Sequence, residues 1–197
     1  MSEVHATLLL VYQIESSGEM CVKQSMDIHD DSQPNMFRFG MVMQLPYDME
    51  QSEFYGRGPI ENYPDRNSSQ RMGIYQQTAD EQFYPYVRPQ ETGLKTDVEW
   101  WKQSNGNNLA IKVTGEKHLC MSALHYDIEE LDEGEEKHQR HPGDLKKSRF
   151  TNLFIDGEHA GVGGVDSWSQ RALPLPPYRV KATNKQFTFW IKPLVRH

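Results

Sequence analysis

Cysteine is scarce in this sequence, and long apolar runs are missing. The two cysteines among 197 residues, Cys21 and Cys120, each sit in an alternating apolar run, which favours buried free thiols over a disulfide or a metal site. No apolar run approaches the roughly 20 residues of a membrane span. The short run Leu8–Val11 follows no basic segment of a signal peptide. We therefore expect a soluble protein without membrane contact, in the cytoplasm, with the periplasm as the alternative.

Positive charge is also in short supply. Lys and Arg number 21 against 28 Asp and Glu, so the net charge is −7. An acidic surface repels phosphate backbones, which argues against a nucleic-acid partner. In contrast, the chain holds 4 Trp, 9 Tyr and 8 Phe although only 37% of it is hydrophobic. Aromatic richness of this kind favours β-structure and contact with carbohydrate.

Period-2 alternation dominates the chain. Apolar residues alternate with mostly polar ones from Val4 to Ile14 and again from Met20 to Ile28, across a Ser-Ser-Gly turn, which predicts a β-hairpin. Further strands are predicted over residues 37–45, 98–102, 109–113, 119–123, 153–155 and 187–191. No helical period lasts 12 residues. Segments 56–96 and 127–149 are irregular. Within the second, Asp127–His138 is the best helix candidate, and a solvated loop with one helical turn is the alternative. We predict one all-β domain over residues 1–197, with antiparallel sheets stacked face to face.

The most informative stretch is Asp156-Gly-Glu-His-Ala-Gly-Val-Gly-Gly-Val-Asp-Ser-Trp168, which directly follows a predicted strand. Glycines allow positive φ angles and close approach of another surface. A tryptophan on such a loop is a flat apolar plate with one N–H donor, which suits the C–H face and polar rim of a sugar ring. The polar neighbours of Trp168 argue against the alternative, a core aromatic.

Three stretches carry a family resemblance. Tyr55-Gly-Arg-Gly-Pro-Ile-Glu-Asn-Tyr-Pro-Asp-Arg66 resembles the GxGPxENYPDR segment of large bacterial β-galactosidases, glycoside hydrolase family 2 of the lac type. Tyr84-Pro-Tyr-Val-Arg-Pro-Gln-Glu-Thr-Gly-Leu94 is similar to the YPYVxPxExGxR stretch of that family, with Lys95 after Leu94 where the family has a nearby Arg or Lys. The loop that ends at Trp168 is similar to its DGxxxGxGGxDSW. The three lie in family order.

The resemblance implies a C-terminal domain, a large antiparallel sandwich (a supersandwich) of the galactose mutarotase type, here lacking its N-terminal strands. The family's two catalytic glutamates lie on a separate (β/α)₈ barrel of the same polypeptide, and 197 residues hold no such barrel. The domain would therefore contribute Trp168 to a β-galactoside pocket and pack on the barrel, while being inactive alone. The parent enzyme would act with retention, use Mg²⁺ and Na⁺ or K⁺ bound elsewhere than on this chain, and form a homo-oligomer.

Other residues of the three stretches leave alternatives open. His159 and Asp166 are further candidate sugar contacts on the same loop. We favour a structural role for the polar cluster of Glu61, Asn62, Asp65 and Arg66. Two other functions remain in play. One is a stand-alone galactose-binding module. The other is an aldose 1-epimerase-like enzyme, which needs an acid and a base on opposite sides of the sugar ring; its candidates are His118, His125 or His159 with Glu61 or Asp127.

Overall fold

The computed structural model describes residues 5–29, 34–133, 140–166 and 169–195, and within these it has nine strands. The strands are β1 (Ala6–Ile14), β2 (Met20–Ile28), β3 (Arg38–Pro46), β4 (Gln51–Gly58), β5 (Arg71–Thr78), β6 (Lys95–Ser104), β7 (Leu109–Leu124), β8 (Phe150–His159) and β9 (Lys185–Val195). Two helical turns, α1 (Ala79–Gln82) and α2 (Ile128–Leu131), and 3₁₀ turns at Pro142–Asp144, Gln170–Ala172 and Pro176–Tyr178 complete the described elements.

All pairings between these strands are antiparallel, and the main sheet has the order β1-β2-β9-β7-β6-β4-β5. The long strand β7 divides the sheet. Its first part, residues 109–115, pairs with β9, whereas its last part, residues 120–124, pairs with β8, which in turn pairs with β3. A Cβ atom on Gly115 would lie 2.3 Å from the carbonyl oxygen of Lys117, so this change of partner occurs where only glycine fits.

The β3–β8 pair lies over β2 and β9, which gives the sandwich its second layer. Gln24 Nε2 donates to the carbonyl of Gly40 at 3.1 Å, and the rings of Phe39 and Phe187 meet edge to face at 5.5 Å. Between the layers lies one apolar core, formed by Val22, Phe54, Val98, Trp101, Val113, Leu119, Met121, Ala123, Leu153, Ile155, Phe189 and Ile191. Burial of each Val, Leu, Ile, Met or Phe side chain in this core stabilises the fold by roughly 1.5–3 kcal/mol relative to its exposed state. The predicted all-β antiparallel fold is confirmed.

Several details differ from the sequence-based expectation. The segment expected to be irregular after Gly56 contains β5 and α1. Strand β5 was not predicted from alternation of apolar and polar residues. It lies at the sheet edge, where the apolar side chains of Met72 and Ile74 are exposed. The predicted strands 109–113 and 119–123 are the two ends of one strand, β7. The charged segment after Asp127 begins with a single helical turn, α2, one of its two expected forms.

Two further findings concern the cysteines and membrane contact. Cys21 and Cys120 are free thiols. Within the described ranges, no helix has the length and apolar character to cross a membrane.

Candidate functional site

The glycine-rich loop begins where β8 ends, at His159, and its described part runs to Asp166. The backbone N–H of Ala160 donates to the carbonyl of Phe37 at 2.8 Å, and the N–H of Gly161 donates to the carbonyl of Tyr178 at 2.8 Å. Farther along, the N–H of Val165 donates to the carbonyl of Arg171 at 2.8 Å. Backbone hydrogen bonds thus fix the loop along its length. Ser167 and Trp168 lie outside the described residues, so the predicted sugar contact of Trp168 stays a prediction.

Asp65 holds the middle of the loop from a distant segment. Its Oδ2 atom accepts a hydrogen bond from the backbone N–H of Gly163 at 2.7 Å. A Cβ atom on Gly161 would lie 2.4 Å from the same Oδ2 atom. The carboxylate can therefore approach the loop only because residue 161 has no side chain. The segment with the ENYPDR residues and the loop that precedes Trp168 form one unit.

Asp166 and Ser169, which flank residues 167 and 168 in the sequence, are hydrogen-bonded to each other. Asp166 accepts from the Ser169 backbone N–H at 2.9 Å and from its hydroxyl at 2.7 Å. The Ser169 oxygen accepts from the N–H of Arg171 at 3.1 Å and caps the following 3₁₀ turn. Asp166, a candidate sugar contact, is thereby engaged in shaping the turn. Its contact with a sugar remains a prediction.

Glu61 and Asn62 lie at the base of the same unit, largely or fully buried. Glu61 accepts hydrogen bonds from Arg66 Nη2, the Tyr86 hydroxyl, the Thr92 hydroxyl at 3.0 Å and the Gly93 N–H at 2.7 Å. Because its two oxygens accept hydrogen bonds from four donors, the Glu61 carboxylate has a structural role. It secures the segment before β6 to the ENYPDR segment.

Asn62 bridges the same two segments. Its side-chain amide donates to the carbonyls of Arg57 and Ile60 at 2.9 and 3.0 Å, while its oxygen accepts from the Thr96 N–H and hydroxyl at 3.1 and 2.6 Å. Burying these polar groups would be costly without partners. The favoured structural reading of this cluster agrees with these contacts.

A buried ion pair anchors the start of the loop. Asp156 is 1% exposed, and its Oδ2 atom lies 2.9 Å from Arg38 Nη2 and 3.1 Å from Arg38 Nε. Burial raises the pKa of Asp156 to about 6, and the Arg38 guanidinium opposes that rise. Arg38 also lies 3.6 Å from Glu91. Removing either member of a buried pair leaves an uncompensated charge, which is strongly destabilising.

His159 belongs to the same cluster. It is 5% exposed, its Nδ1 atom donates to the carbonyl of Ala160 at 2.7 Å, and its Nε2 atom lies 3.8 Å from Glu91 Oε1. The Tyr63 ring packs 5.6 Å away. With Nδ1 hydrogen-bonded to the loop backbone and the ring buried, the imidazole is placed to position the loop. Direct sugar contact by His159 stays a prediction.

Lys95 is an unusual neighbour of this cluster. It is 1% exposed, and its Nζ atom donates to the carbonyl of Gly93 at 2.8 Å. Burial lowers the pKa of Lys95 to about 7, although Glu61 favours the charged form. Its ammonium group lies 5.9 Å from the centre of the Phe54 ring. A lysine so enclosed makes the folded state sensitive to pH.

A cavity of about 220 Å³ opens beside His159. Arg38, Glu91 and His159 form a polar wall, and the apolar lining includes Phe37 and Phe154. This volume is below the roughly 300–1,000 Å³ of pockets for drug-sized ligands, so the cavity has room only for a smaller molecule.

Two of the acid candidates of the epimerase alternative, His118 and His125, lie away from this cluster. His125 is fully buried, lies 3.1 Å from Glu50 Oε2 and stacks on Tyr47 at 3.9 Å. His118 is exposed and lies 3.8 Å from Glu99. The described contacts thus pair these histidines with partners other than Glu61 or Asp127. Across the described ranges, no three His, Cys, Asp or Glu side chains converge as metal ligands would.

Sequence reasoning missed the roles of Arg38, Glu91 and Lys95. Arg38 lies in an alternating strand, where a charged residue reads as a solvent-facing position. Glu91 and Lys95 lie within a recognised stretch, but spacing alone does not show that they meet Arg38 and Glu61. The only signal was the density of ionisable residues around the three segments.

A family model described as "Beta galactosidase small chain" matches residues 1–191. The chain is 31% identical to a β-galactosidase of Priestia megaterium over 96% of its own length, and 30% identical to one of Photobacterium profundum over 98%. It is 36% identical to a Vibrio cholerae β-galactosidase over 78%. The chain spans only 18%, 17% and 15% of these three relatives.

Proposed function

Because the chain belongs to the β-galactosidase small-chain family, we propose that it is a β-sandwich domain of a retaining β-galactosidase, an enzyme that hydrolyses terminal β-D-galactosides. The domain supplies a sugar contact and a packing surface. The catalytic barrel of the same polypeptide supplies the bond-breaking carboxylates and the metal sites. On its own the chain is catalytically inert.

The way the buried carboxylates are used supports this division of labour. Retaining glycosidases need two carboxyl groups roughly 5 Å apart, one as nucleophile and one as acid and base. Asp156 is held by Arg38, and Glu61 accepts from four donors. Neither is free to attack a sugar or to transfer a proton to one. These contacts support a division of labour in which another part of the enzyme supplies the catalytic carboxylates.

The observation that carries the sugar-contact proposal is the hydrogen bond from Gly163 to Asp65. It fixes the glycine-rich backbone at Gly163, five residues before Trp168 in the sequence. Positioning lowers the entropy that a loop loses when it binds. An indole offers a flat apolar face to the C–H side of galactose and one donor to its hydroxyls. Trp168 is the proposed contact, with Asp166 and His159 shaping the loop.

A chimaera tests the proposal. This chain would replace the matching segment of the Priestia megaterium β-galactosidase, and both the chimaera and the chain alone would be assayed on nitrophenyl β-galactoside. The proteins would come from a host without β-galactosidase. We expect turnover by the chimaera and none by the chain alone. Turnover by the chain alone would contradict the proposed division of labour.

The cavity beside His159 keeps a second candidate function open, a galactose-binding module or a small epimerase. The chain alone would then bind galactose or speed the mutarotation of α-galactose. Calorimetry and polarimetry test these two outcomes, with Glu91→Gln as the variant that changes the polar wall of the cavity. Absence of binding and of rate enhancement at high protein concentration would exclude this candidate.

A further inference from the structure

A second and larger cavity, of about 520 Å³, lies at the turn that joins β6 to β7. This hairpin pocket is lined by residues 51–53 and 104–110 together with Gln76, Lys102 and Leu194. Its volume lies within the roughly 300–1,000 Å³ of pockets that hold drug-sized ligands. The pocket therefore has room for a molecule larger than the cavity beside His159 admits.

The hairpin pocket is remote from the loop that leads to Trp168. It lies at the start of β4, whereas the ENYPDR segment that holds the loop follows the end of β4. Residues 51 and 58 of an extended strand are about 23 Å apart. In the sheet order, β2 separates β1 from the five strands that contribute to the pocket, β4, β5, β6, β7 and β9. The pocket is thus a separate feature of the sheet.

Four lining residues form one row across the sheet. Gln51 is opposite Ser104 in the strand register, Ser104 is opposite Ala110, and Ala110 is opposite Leu194. Residues that are directly opposite in an antiparallel pair share a face of the sheet. The row is polar on β4 and β6 and apolar on β7 and β9. A sugar ring has the same division, with hydroxyl groups on its rim and C–H bonds on its face.

The charges in the pocket compensate each other. Among the described residues that line it, the charged ones are Glu53 and Lys102, and Lys102 Nζ lies 3.8 Å from Glu53 Oε1. Gln76 Nε2 donates to Glu53 Oε2 at 2.6 Å. One carboxylate and one ammonium group leave the pocket without net charge. This balance favours an uncharged ligand over an anion or a cation.

The turn at one end of the pocket is held by its own hydrogen bonds. Asn105 Oδ1 accepts from the backbone N–H of Asn107 at 3.1 Å and from that of Leu109 at 3.2 Å. Gly106 has a φ of +76°, a left-handed conformation that glycine adopts without strain. A turn fixed in this way loses little entropy when a ligand binds.

Three side-chain amides of the pocket are available to a ligand. Gln51, Asn107 and Asn108 line it, and their side chains make no hydrogen bond to another described residue. Each amide has both donors and an acceptor, which suits hydroxyl groups because these also donate and accept. Strand β4 lies between β5 and β6, and β6 lies between β4 and β7. Along these two strands the described backbone therefore offers no free edge to an extended peptide.

We propose that the hairpin pocket is a second, non-catalytic saccharide site that binds a neutral disaccharide. The amides of Gln51, Asn107 and Asn108 bind hydroxyl groups of the sugar, and Ala110 and Leu194 contact its C–H face. The proposal goes beyond the proposed enzyme function and does not depend on it, because the readouts below are binding to this chain at residues far from Trp168.

Titration of the full chain, followed in ¹H–¹⁵N correlation spectra, locates the site. The probes are cellobiose, maltose and a lactose analogue with sulfur in place of the glycosidic oxygen, which resists glycosidases. We expect at least one of them to shift the backbone signals of Gly106 and Asn108 and the side-chain amide signal of Gln51. The signals of Gly161 and Gly163 report separately on the loop before Trp168.

Substitutions in the pocket test the assigned contacts. Gln51→Ala and Asn108→Ala each remove one amide, and each should weaken binding of that probe roughly 3- to 10-fold. Ala110→Phe should abolish binding because the new ring fills the apolar side of the pocket. Gln13→Ala is the matched control, since it removes an exposed amide on β1 that donates to Glu15; it should bind like the natural chain. Circular dichroism confirms that each variant is folded.

Three results would overturn the proposal. They are no shift at the pocket with any of the three disaccharides at millimolar concentration, shifts confined to the loop before Trp168, and unchanged affinity in both Gln51→Ala and Asn108→Ala. Failure of the proposed enzyme function is a different observation, because it concerns turnover by the chimaera or by the chain alone. A chimaera without turnover would contradict that function and leave saccharide binding at the hairpin pocket as it is.

Discussion

The carboxylate of Asp65 accepts a hydrogen bond from the backbone N–H of Gly163 at 2.7 Å, across 98 residues of sequence. This single contact joins the ENYPDR segment after β4 to the glycine-rich loop after β8. The conformation of the backbone before Trp168 therefore depends on a residue that is remote from it in sequence. Substitutions on either side of the contact should change substrate binding more than they change the sandwich.

Replacing Asp65 by Ala should release the loop. A hydrogen bond to a charged group contributes about 1.5–3 kcal/mol. Here that free energy holds the loop in its observed conformation. We expect KM of the chimaera to rise several-fold, with a small change in the unfolding temperature. Asp48→Ala, which removes an exposed carboxylate 3.4 Å from Asn105, is the control. Equal KM values for both variants would show that Asp65 does not position the loop.

Replacing Gly161 by Ala tests the same contact from the other side. The new Cβ atom would lie 2.4 Å from Asp65 Oδ2, so the loop or the carboxylate must move, at a cost of about 1–3 kcal/mol. We expect a lower unfolding temperature and a higher KM. Gly143→Ala is the control, because its Cβ atom would meet nothing within 4 Å. The prediction fails if the two alanine variants behave alike.

Lys95 should make stability depend on pH. The pKa of Lys95 falls from 10.5 to about 7 on folding because the residue is buried. Between these values the unfolded chain holds a proton that the native chain lacks, so the free energy of unfolding rises with pH. Below about pH 7 the cost of burying the ammonium group is fully present.

Replacing Lys95 by Met should remove that dependence. We expect the variant to be more stable than the natural chain near pH 7, with the advantage shrinking as pH rises. Urea unfolding of both proteins at pH 7, 8 and 9 measures the difference between their free energies of unfolding. The contributions of groups that titrate in both proteins cancel in this difference. A constant difference across this range would mean that Lys95 stays charged in the folded state.

The sequence predicts those strands whose alternation reflects one buried face. Strand β2 and the strand around Phe189 follow this rule, because their inward residues pack in one core. Strand β1 alternates in sequence although all nine of its residues are exposed. Strand β5 does not, because backbone pairing with β4 holds it at the sheet edge while Ile74 stays 66% exposed. The continuity of β7 depends on a change of pairing partner, which no local pattern encodes.

For the candidate site, sequence identified the segments but not their contacts. The glycines of the loop showed that another surface would come close, and that surface is the Asp65 carboxylate. The buried pair of Asp156 with Arg38 unites residues on β8 and β3, and only the fold brings them together. Long-range polar contacts of this kind arise from strand pairing, so composition and spacing cannot specify them.

The most direct measurement is the KM of the chimaera after Trp168→Ala. Loss of a sugar-stacking face should cost about 1–2 kcal/mol of binding, which corresponds to a roughly 5- to 30-fold rise in KM, with an unchanged unfolding temperature. Trp100→Ala, which removes an indole on β6 beside Lys112, should leave KM unchanged. An unaltered KM for Trp168→Ala would contradict the proposal that this domain presents Trp168 to the galactoside.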